Sequence, residues 1–476
     1  MSYWKNVCLG CALFAAMAIA ASAQTVAYVH SFAGTTQSAA PFYGTPVQGR
    51  DGYIYGTTFG RSPTFGSIFR VSTAGEFRQL HAFDNTSGGN PYGGLTLASD
   101  GNFYGTTTYG GSAGLGVLYR ITPNGAYTVL HQFSGGSDGA MPYAPPIEGS
   151  DGHLYGTTSG LAESGAESYP STVYEYVRQL STFSTVYQFA ADGSQGEGVV
   201  APLIQANDGN LYGTASFGGT TNCGTVFRLS TSGTLSYDYS FPCGAGGSAP
   251  FGGVVQASDG NLYGVTEIGG NNYLGEGAGT VFKLDQNGVV SVLYIFPGFP
   301  KEDVPVGGLM QATDGNLYGT TIGGGNANYG TLFQTATTGI AQELYHFPGH
   351  GENPVLRAGF LQHTNGILYS TTSEGNAYHN NNDAAWGSVF SLDIGLGPFV
   401  ALVRYQGRMG GTAQILGQGL TGTSSVTFNG VAATTFSVVS DTYMTAVVPA
   451  GATTGAVVVA TPAGNLTSNK NFRIGN

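Results

Sequence analysis

The stretch Asp314-Gly315-Asn316-Leu317-Tyr318-Gly319-Thr320-Thr321 decides the fold, because the chain repeats it, lightly edited, seven times. The copies open at Asp51, Asp100, Asp151, Asp208, Asp259, Asp314 and Asn365, with successive spacings of 49, 51, 57, 51, 55 and 51 residues. Every copy keeps a tyrosine: Tyr55, Tyr104, Tyr155, Tyr212, Tyr263, Tyr318 and Tyr369. A period near fifty residues is that of a propeller blade or a solenoid.

Each copy resolves into four short β signals. An apolar run such as Gly308 to Ala312 precedes Asp-Gly, which then sits between two alternating segments. That is a hairpin signal, read here as a type I′ turn with φ > 0 at both central residues. Leu-Tyr-Gly-Thr-Thr forms the second strand. The third reads Gly-Thr-Val-Phe or a variant of it, at Gly224 to Phe227, Gly279 to Phe282 and Gly330 to Phe333, and more loosely at Gly66 to Phe69 and Gly387 to Phe390. The fourth ends on Phe83, Phe133, Phe189, Phe241, Phe296 or Phe347. Four-stranded antiparallel units repeated radially make a β-propeller, which leaves only short edges. The competing β-solenoid has shorter, parallel rungs. The predicted fold is therefore all-β: a seven-bladed propeller of four-stranded blades. The last copy lacks a fourth strand, and Val26-Ala27-Tyr28-Val29-His30-Ser31-Phe32 has its pattern. The N-terminal strand is expected to complete blade seven and close the ring.

Of 476 residues, 79 are glycine and 12% aromatic, while only 9% are charged; glycine-punctuated strands with aromatic cores explain this without disorder. Residues 1–23 read as a signal peptide, with Lys5, an apolar core from Val7 to Ala21, and Ala21-Ser22-Ala23 before Gln24. Leu9-Gly10-Cys11 lies ahead of most of that core, unlike a lipoprotein box. The expected address is extracellular or cell-surface, with the periplasm as the other exported compartment. The formal charge is −12, and loss of Lys5 takes it to −13. Such a surface argues against nucleic acid and anionic membranes, because phosphate binding needs clustered Lys and Arg. Outside the leader no apolar run approaches the ~20 residues of a membrane span, so no insertion is expected after its removal. A monomer is expected. Cys223 and Cys243 flank the third and fourth strands of blade four about the Thr231-Ser232-Gly233 turn, so a disulfide is expected in an oxidising compartment.

After Leu392 the pattern changes to alternating strands split by Asn-Gly and Gly turns: Gly411 to Leu420, Ser425 to Ala432, Thr442 to Pro449 and Ala456 to Thr461. Residues 398–476 suit a small β-sandwich, and 24–397 the propeller. The tail segments Ile-Leu-Gly-Gln-Gly-Leu, Val-Thr-Phe-Asn-Gly-Val and Val-Pro-Ala-Gly resemble bacterial IPT/TIG immunoglobulin-like domains, which implies a spacer or adhesion unit. Through Asp-Gly-Asn-Leu-Tyr-Gly-Thr-Thr, Gly-Gly and Gly-Thr-Val-Phe, the repeats resemble the choice-of-anchor GloVer tandem-repeat family of exported bacterial proteins. That resemblance implies the repeat fold and an exported setting, and no established reaction.

His81 and His131 sit two residues before the strand-ending Phe, in the register of Tyr187, Tyr239, Tyr294 and Tyr345, with His30 in the N-terminal strand. A position shared by His and Tyr reads as packing. The turn aspartates are too few per site for the six to eight oxygens of calcium, although calcium stays a possible cofactor; no other cofactor or metal is expected. No nucleophile elbow, His-Glu-x-x-His pair or phosphate loop stands in a supporting context, so no catalytic residue is assigned. Paired carboxylates from different blades leave a carbohydrate-active hydrolase or lyase as the rival. The loops between second and third strands vary in length, and variable loops on a rigid scaffold carry binding residues. The candidate ligand-binding residues are Glu163, Glu167 and Tyr169 in blade three, Asn271, Tyr273 and Glu276 in blade five, and Tyr378, His379, Asp383 and Trp386 in blade seven. Aromatic rings among amides and carboxylates suit sugars. The expected function is an exported binding or adhesion module for glycan or cell-envelope material, with the enzyme and a purely structural surface protein as alternatives.

Overall fold

The computed structural model describes residues 24–32, 40–60, 63–161, 169–270, 278–298, 303–348, 355–373 and 386–475. The leader, at 1–23, lies outside them. The described chain is all-β, with one 3-10 turn at Gly244–Gly246. Its first part forms seven four-stranded antiparallel sheets, each copy of the repeat supplying a first strand of two or three residues and a second strand of five. Thr25–Ser31 pairs antiparallel with Ser388–Asp393 and supplies the fourth strand of the seventh sheet.

The repeat motif has a mechanical reading. In the first copy Gly52 N–H donates to Gly49 O at 3.1 Å, and Gly49 N–H to Tyr53 O at 2.8 Å. Gly52 has φ +77°, whereas Asp51 does not enter the positive region. The turn is thus the three-residue form, a type I turn closed by a left-handed glycine, and not the type I′ turn expected from Asp-Gly. The aspartate has another task. Its carboxylate accepts the Tyr53 N–H at 3.3 Å and the Tyr55 hydroxyl at 2.7 Å. The same tyrosine-to-aspartate bond recurs at Tyr104, Tyr155, Tyr212, Tyr263 and Tyr318 over 2.6–2.9 Å. In the seventh copy Asn365 donates to the Tyr369 hydroxyl instead. The glycine after the tyrosine admits a ring from the third strand: a Cβ on Gly56 would stand 2.7 Å from Phe69 Cζ.

A second periodic feature ties each sheet to the next. Three residues before the turn aspartate stands Gln or Glu, and its side-chain oxygen accepts a backbone N–H from the preceding sheet's turn. Ser99 donates to Glu148, Ser150 to Gln205, Asn207 to Gln256, Ser258 to Gln311 and Thr313 to Gln362, over 2.7–3.0 Å. Thr364 donates to Gln48 at 2.9 Å, which links the seventh sheet to the first. Only Leu97 breaks the pattern. There Arg50 reaches across to Ser99 O at 2.7 Å. Apolar clusters fill the spaces between neighbouring sheets, as where Phe189 of the third meets Phe227 of the fourth at 5.1 Å.

The histidine register is a packing register. His30 stacks on Phe77, His81 on Tyr127 and His131 on Phe183, each ring lying 4° from parallel at 3.6–4.2 Å between centroids. Each partner belongs to the next sheet. Cys223 and Cys243 form a disulfide with Cα atoms 5.5 Å apart.

The tail forms two further four-stranded sheets, one from Ala401–Leu402, Thr412–Leu416, Phe436–Ser440 and Tyr443–Val447, the other from Ser425–Phe428, Val431–Ala432, Val457–Thr461 and Gly464–Thr467. Ile415 and Met444 of one share a core with Phe428 and Val457 of the other.

Candidate functional site at the central cavity

Eight residues before each turn Asp or Asn, the approach to the first strand carries Tyr43, Tyr92, Tyr143, Val200, Phe251, Val306 and Arg357. Six of these seven, all but Tyr92, line one cavity of about 450 Å³ with glycines, prolines and aliphatic residues from every sheet. Second-strand threonines fix its wall, since Thr57, Thr106 and Thr320 donate to the carbonyls of Gly93, Ala144 and Ala358 on the adjoining approach segments at 2.7–3.1 Å. Aromatic rings gather at one part of this register. Phe42 meets Tyr92 at 5.3 Å and 89°, and Tyr92 meets Tyr143 at 4.7 Å.

Arg357 is the one charged residue of the described wall. Its guanidinium carbon lies 4.5 Å from the Phe42 ring centroid and 5.9 Å from that of Tyr43, within cation–π range. Burial raises the pKa of Tyr43, and the Arg357 charge opposes the rise. Burial likewise raises the Glu267 carboxyl above its ordinary value against the pull of Arg357.

The turns at the other end of the sheets are covered. The tail's sheets lie against the turns of five of the seven sheets. Thr442 donates to Arg50 O at 2.7 Å and Gln414 to Ser99 O at 2.8 Å; Arg404 donates to Ser150 O, and Gln418 donates to Thr364 at 3.0 Å. Arg473 reaches Asn207 O at 2.6 Å, and Arg50 stacks over Tyr443 at 4.5 Å. Beneath this contact Arg178 joins Asp100 at 3.3 Å and Glu148, whose side chain is 4% exposed. Burial works to raise the Asp100 carboxyl, but hydrogen bonds from Asn102 and Tyr104 and the Arg178 charge outweigh it and hold the group below its ordinary value.

One group of side chains on the turn face could hold a metal ion. Ligand atoms of Asp151, His153 and Glu175 lie within 4.8 Å of one another, with His153 Nδ1 2.7 Å from Glu175 Oε1. Glu175 faces Tyr155 across the strand pair, where the first, second, fourth and fifth sheets place Arg70, Arg120, Arg228 and Lys283. Three ligands, one of them a histidine, match a four-coordinate transition-metal site better than calcium's oxygen shell.

Of the residues that loop length singled out, Glu163, Glu167, Asn271, Tyr273, Glu276, Tyr378, His379 and Asp383 lie outside the described residues. Tyr169 donates its N–H to Gly160 O at 3.0 Å and lies against Gly135. Trp386 is half-buried against the cluster of Phe69 and Tyr369 between the seventh and first sheets. Reasoning from loop length missed the cavity register. Its signal was a constant offset: aromatic or aliphatic side chains eight residues ahead of the turn, with one arginine among them.

The Gloeobacter/Verrucomicrobia repeat matches residues 15–167, 135–276 and 274–470. No curated protein sequence matches the chain. Among solved structures, oligogalacturonate lyase from Vibrio parahaemolyticus aligns with a TM-score of 0.49 and 11% identity, over 77% of this chain and 93% of that one. A second oligogalacturonate lyase, in complex with manganese, aligns at 0.46 and 13%, over 78% and 96%. TolB from Acinetobacter baumannii aligns at 0.36 and 14%, over 67% of this chain and 62% of its own. Likenesses of this size carry no functional inference. The three matches of the repeat span most of the sequence, and the chain belongs to the Gloeobacter/Verrucomicrobia repeat family.

Proposed function

We propose that this protein is an exported binding module, with the seven sheets as blades of a closed propeller and the tail as an IPT/TIG immunoglobulin-like domain braced against its turn face. The ligand enters the central cavity from the loop face and is glycan or cell-envelope material. The observation that carries this reading is the cavity itself, since all seven copies of the repeat converge on it and aromatic rings crowd one part of its rim. Its volume of about 450 Å³ falls within the ~300–1,000 Å³ of small-molecule sites. Tyrosine faces stack on sugar rings while their hydroxyls bond to sugar hydroxyls. Binding is favoured over glycoside hydrolysis because the described wall offers no pair of carboxylates for acid and base.

A glycan-array screen of the chain from Gln24 to Asn476, run with calcium and with chelator, tests the reading. Saturable binding that falls on trimming Tyr378 to Trp386 or on Tyr143→Ala is the expected result. A blank array under both conditions would move the protein to a structural role.

A further inference from the structure

The cavity rim is a seven-membered register in which six members are aromatic or aliphatic and the seventh is Arg357. A repeat needs no cation there, because the other six copies build the same wall without one. Among the described residues its Nη1 donates to Ser373 Oγ at a long 3.5 Å, the Tyr43 hydroxyl lies beside the guanidinium, and its Nε is buried without a partner. No described carboxylate stands within ion-pair distance. A guanidinium presents five N–H donors in a planar fork, and holding its buried Nε beside Phe42 without a partner is costly.

We propose that Arg357 is the anion-recognising residue of this cavity and that the ligand it receives carries a carboxylate, as an acidic sugar does. The inference rests on the cavity being the binding site and adds the chemical class of what it binds. The fork matches a carboxylate in bidentate geometry. A single positive charge with Glu267 nearby suits a monoanion, whereas a phosphate dianion calls for clustered cations. The aromatic rings beside Arg357 give the sugar face a platform while the carboxylate takes the fork.

Calorimetry on the chain from Gln24 to Asn476 tests this with three probes: a uronic-acid tetrasaccharide, its methyl-esterified form and inorganic phosphate. The acid is expected to bind at least about tenfold more tightly than the ester, the effect of one charge-assisted pair. Arg357→Met should abolish that preference and Arg357→Lys should keep part of it, with both variants checked for an unchanged melting temperature. If either variant melts early, the acid-against-ester ratio on the unaltered protein still decides. Equal binding of acid and ester would overturn the carboxylate while leaving a sugar-binding cavity intact. Competition by phosphate as strong as by the acid would make the site a general anion site and overturn the assignment as well. No binding of either sugar, together with a blank array, would remove the cavity reading and this inference together.

Discussion

Replacing Gln48 by leucine removes the clasp that joins the seventh sheet to the first, and the structure sets the size of the effect. The Gln48 side-chain amide accepts the Thr364 N–H at 2.9 Å and donates to Thr364 Oγ1 at 2.8 Å. Gln48 is 3% exposed and Thr364 fully buried, so water cannot replace the lost partner. Two neutral hydrogen bonds are worth about 1 kcal/mol each, and an orphaned buried N–H adds about 1–3 kcal/mol. Leucine keeps the volume, as Leu97 shows at the same register. The expected loss is therefore about 3–5 kcal/mol. Gln205→Leu is the control. It removes the same kind of clasp from Ser150, which is exposed, so solvent takes over and the expected loss is about 0.5–1.5 kcal/mol. Urea unfolding of the chain from Gln24, followed by fluorescence and far-UV circular dichroism, measures both. Equal losses in the two variants, or a loss under about 1 kcal/mol for Gln48→Leu, would refute the reasoning that the buried seam closes the ring.

Three further predictions follow from particular residues. Removing the disulfide by Cys223→Ser with Cys243→Ser should cost about 2–4 kcal/mol, read as an earlier urea midpoint in non-reducing buffer. Arg178→Met leaves the buried Glu148 carboxylate with Ser99 as its partner and no counter-charge, and should cost about 3–5 kcal/mol, with part recovered when Glu148→Gln is added; full additivity of the two changes would count against the pair. Burial holds His81 and His363 below the ordinary histidine pKa of 6.5, so the fold favours their neutral forms. The unfolded chain takes up their protons first, so stability should fall as pH drops through and below 6.5. His81→Tyr, the residue that four sister sheets carry in that register, should flatten the fall, and an unchanged slope would exclude His81 as a source.

Much of the architecture was legible in the sequence because it is periodic. The spacing of the Asp-Gly turns, the strand pattern of residues 26–32 ending on Phe32 and the Cys223–Cys243 spacing each anticipated a pairing now seen. The turn type was misread because Asp-Gly signals two hairpin geometries, and the deciding contact, the Tyr55 hydroxyl on Asp51, lies four residues on. The clasps were periodic too, yet glutamine three residues before a turn looks like any solvated polar residue until the next sheet is in place. The docking of the tail was not legible at all: it depends on Arg404, Gln414 and Arg473, which follow no repeat. The cavity register was not read from the sequence, since a short, uniform segment carries its information in a side-chain offset.

The central claim is that ligand binds at the cavity on the loop face and not on the turn face. Equilibrium binding of an array-positive glycan should be measured for Tyr143→Ala, at the cavity, and Tyr405→Ala, on the covered turn face beside Gln205. The account predicts at least about a tenfold loss for the first and an unchanged affinity for the second. Loss only in the Tyr405 variant would contradict it and put the site beneath the tail.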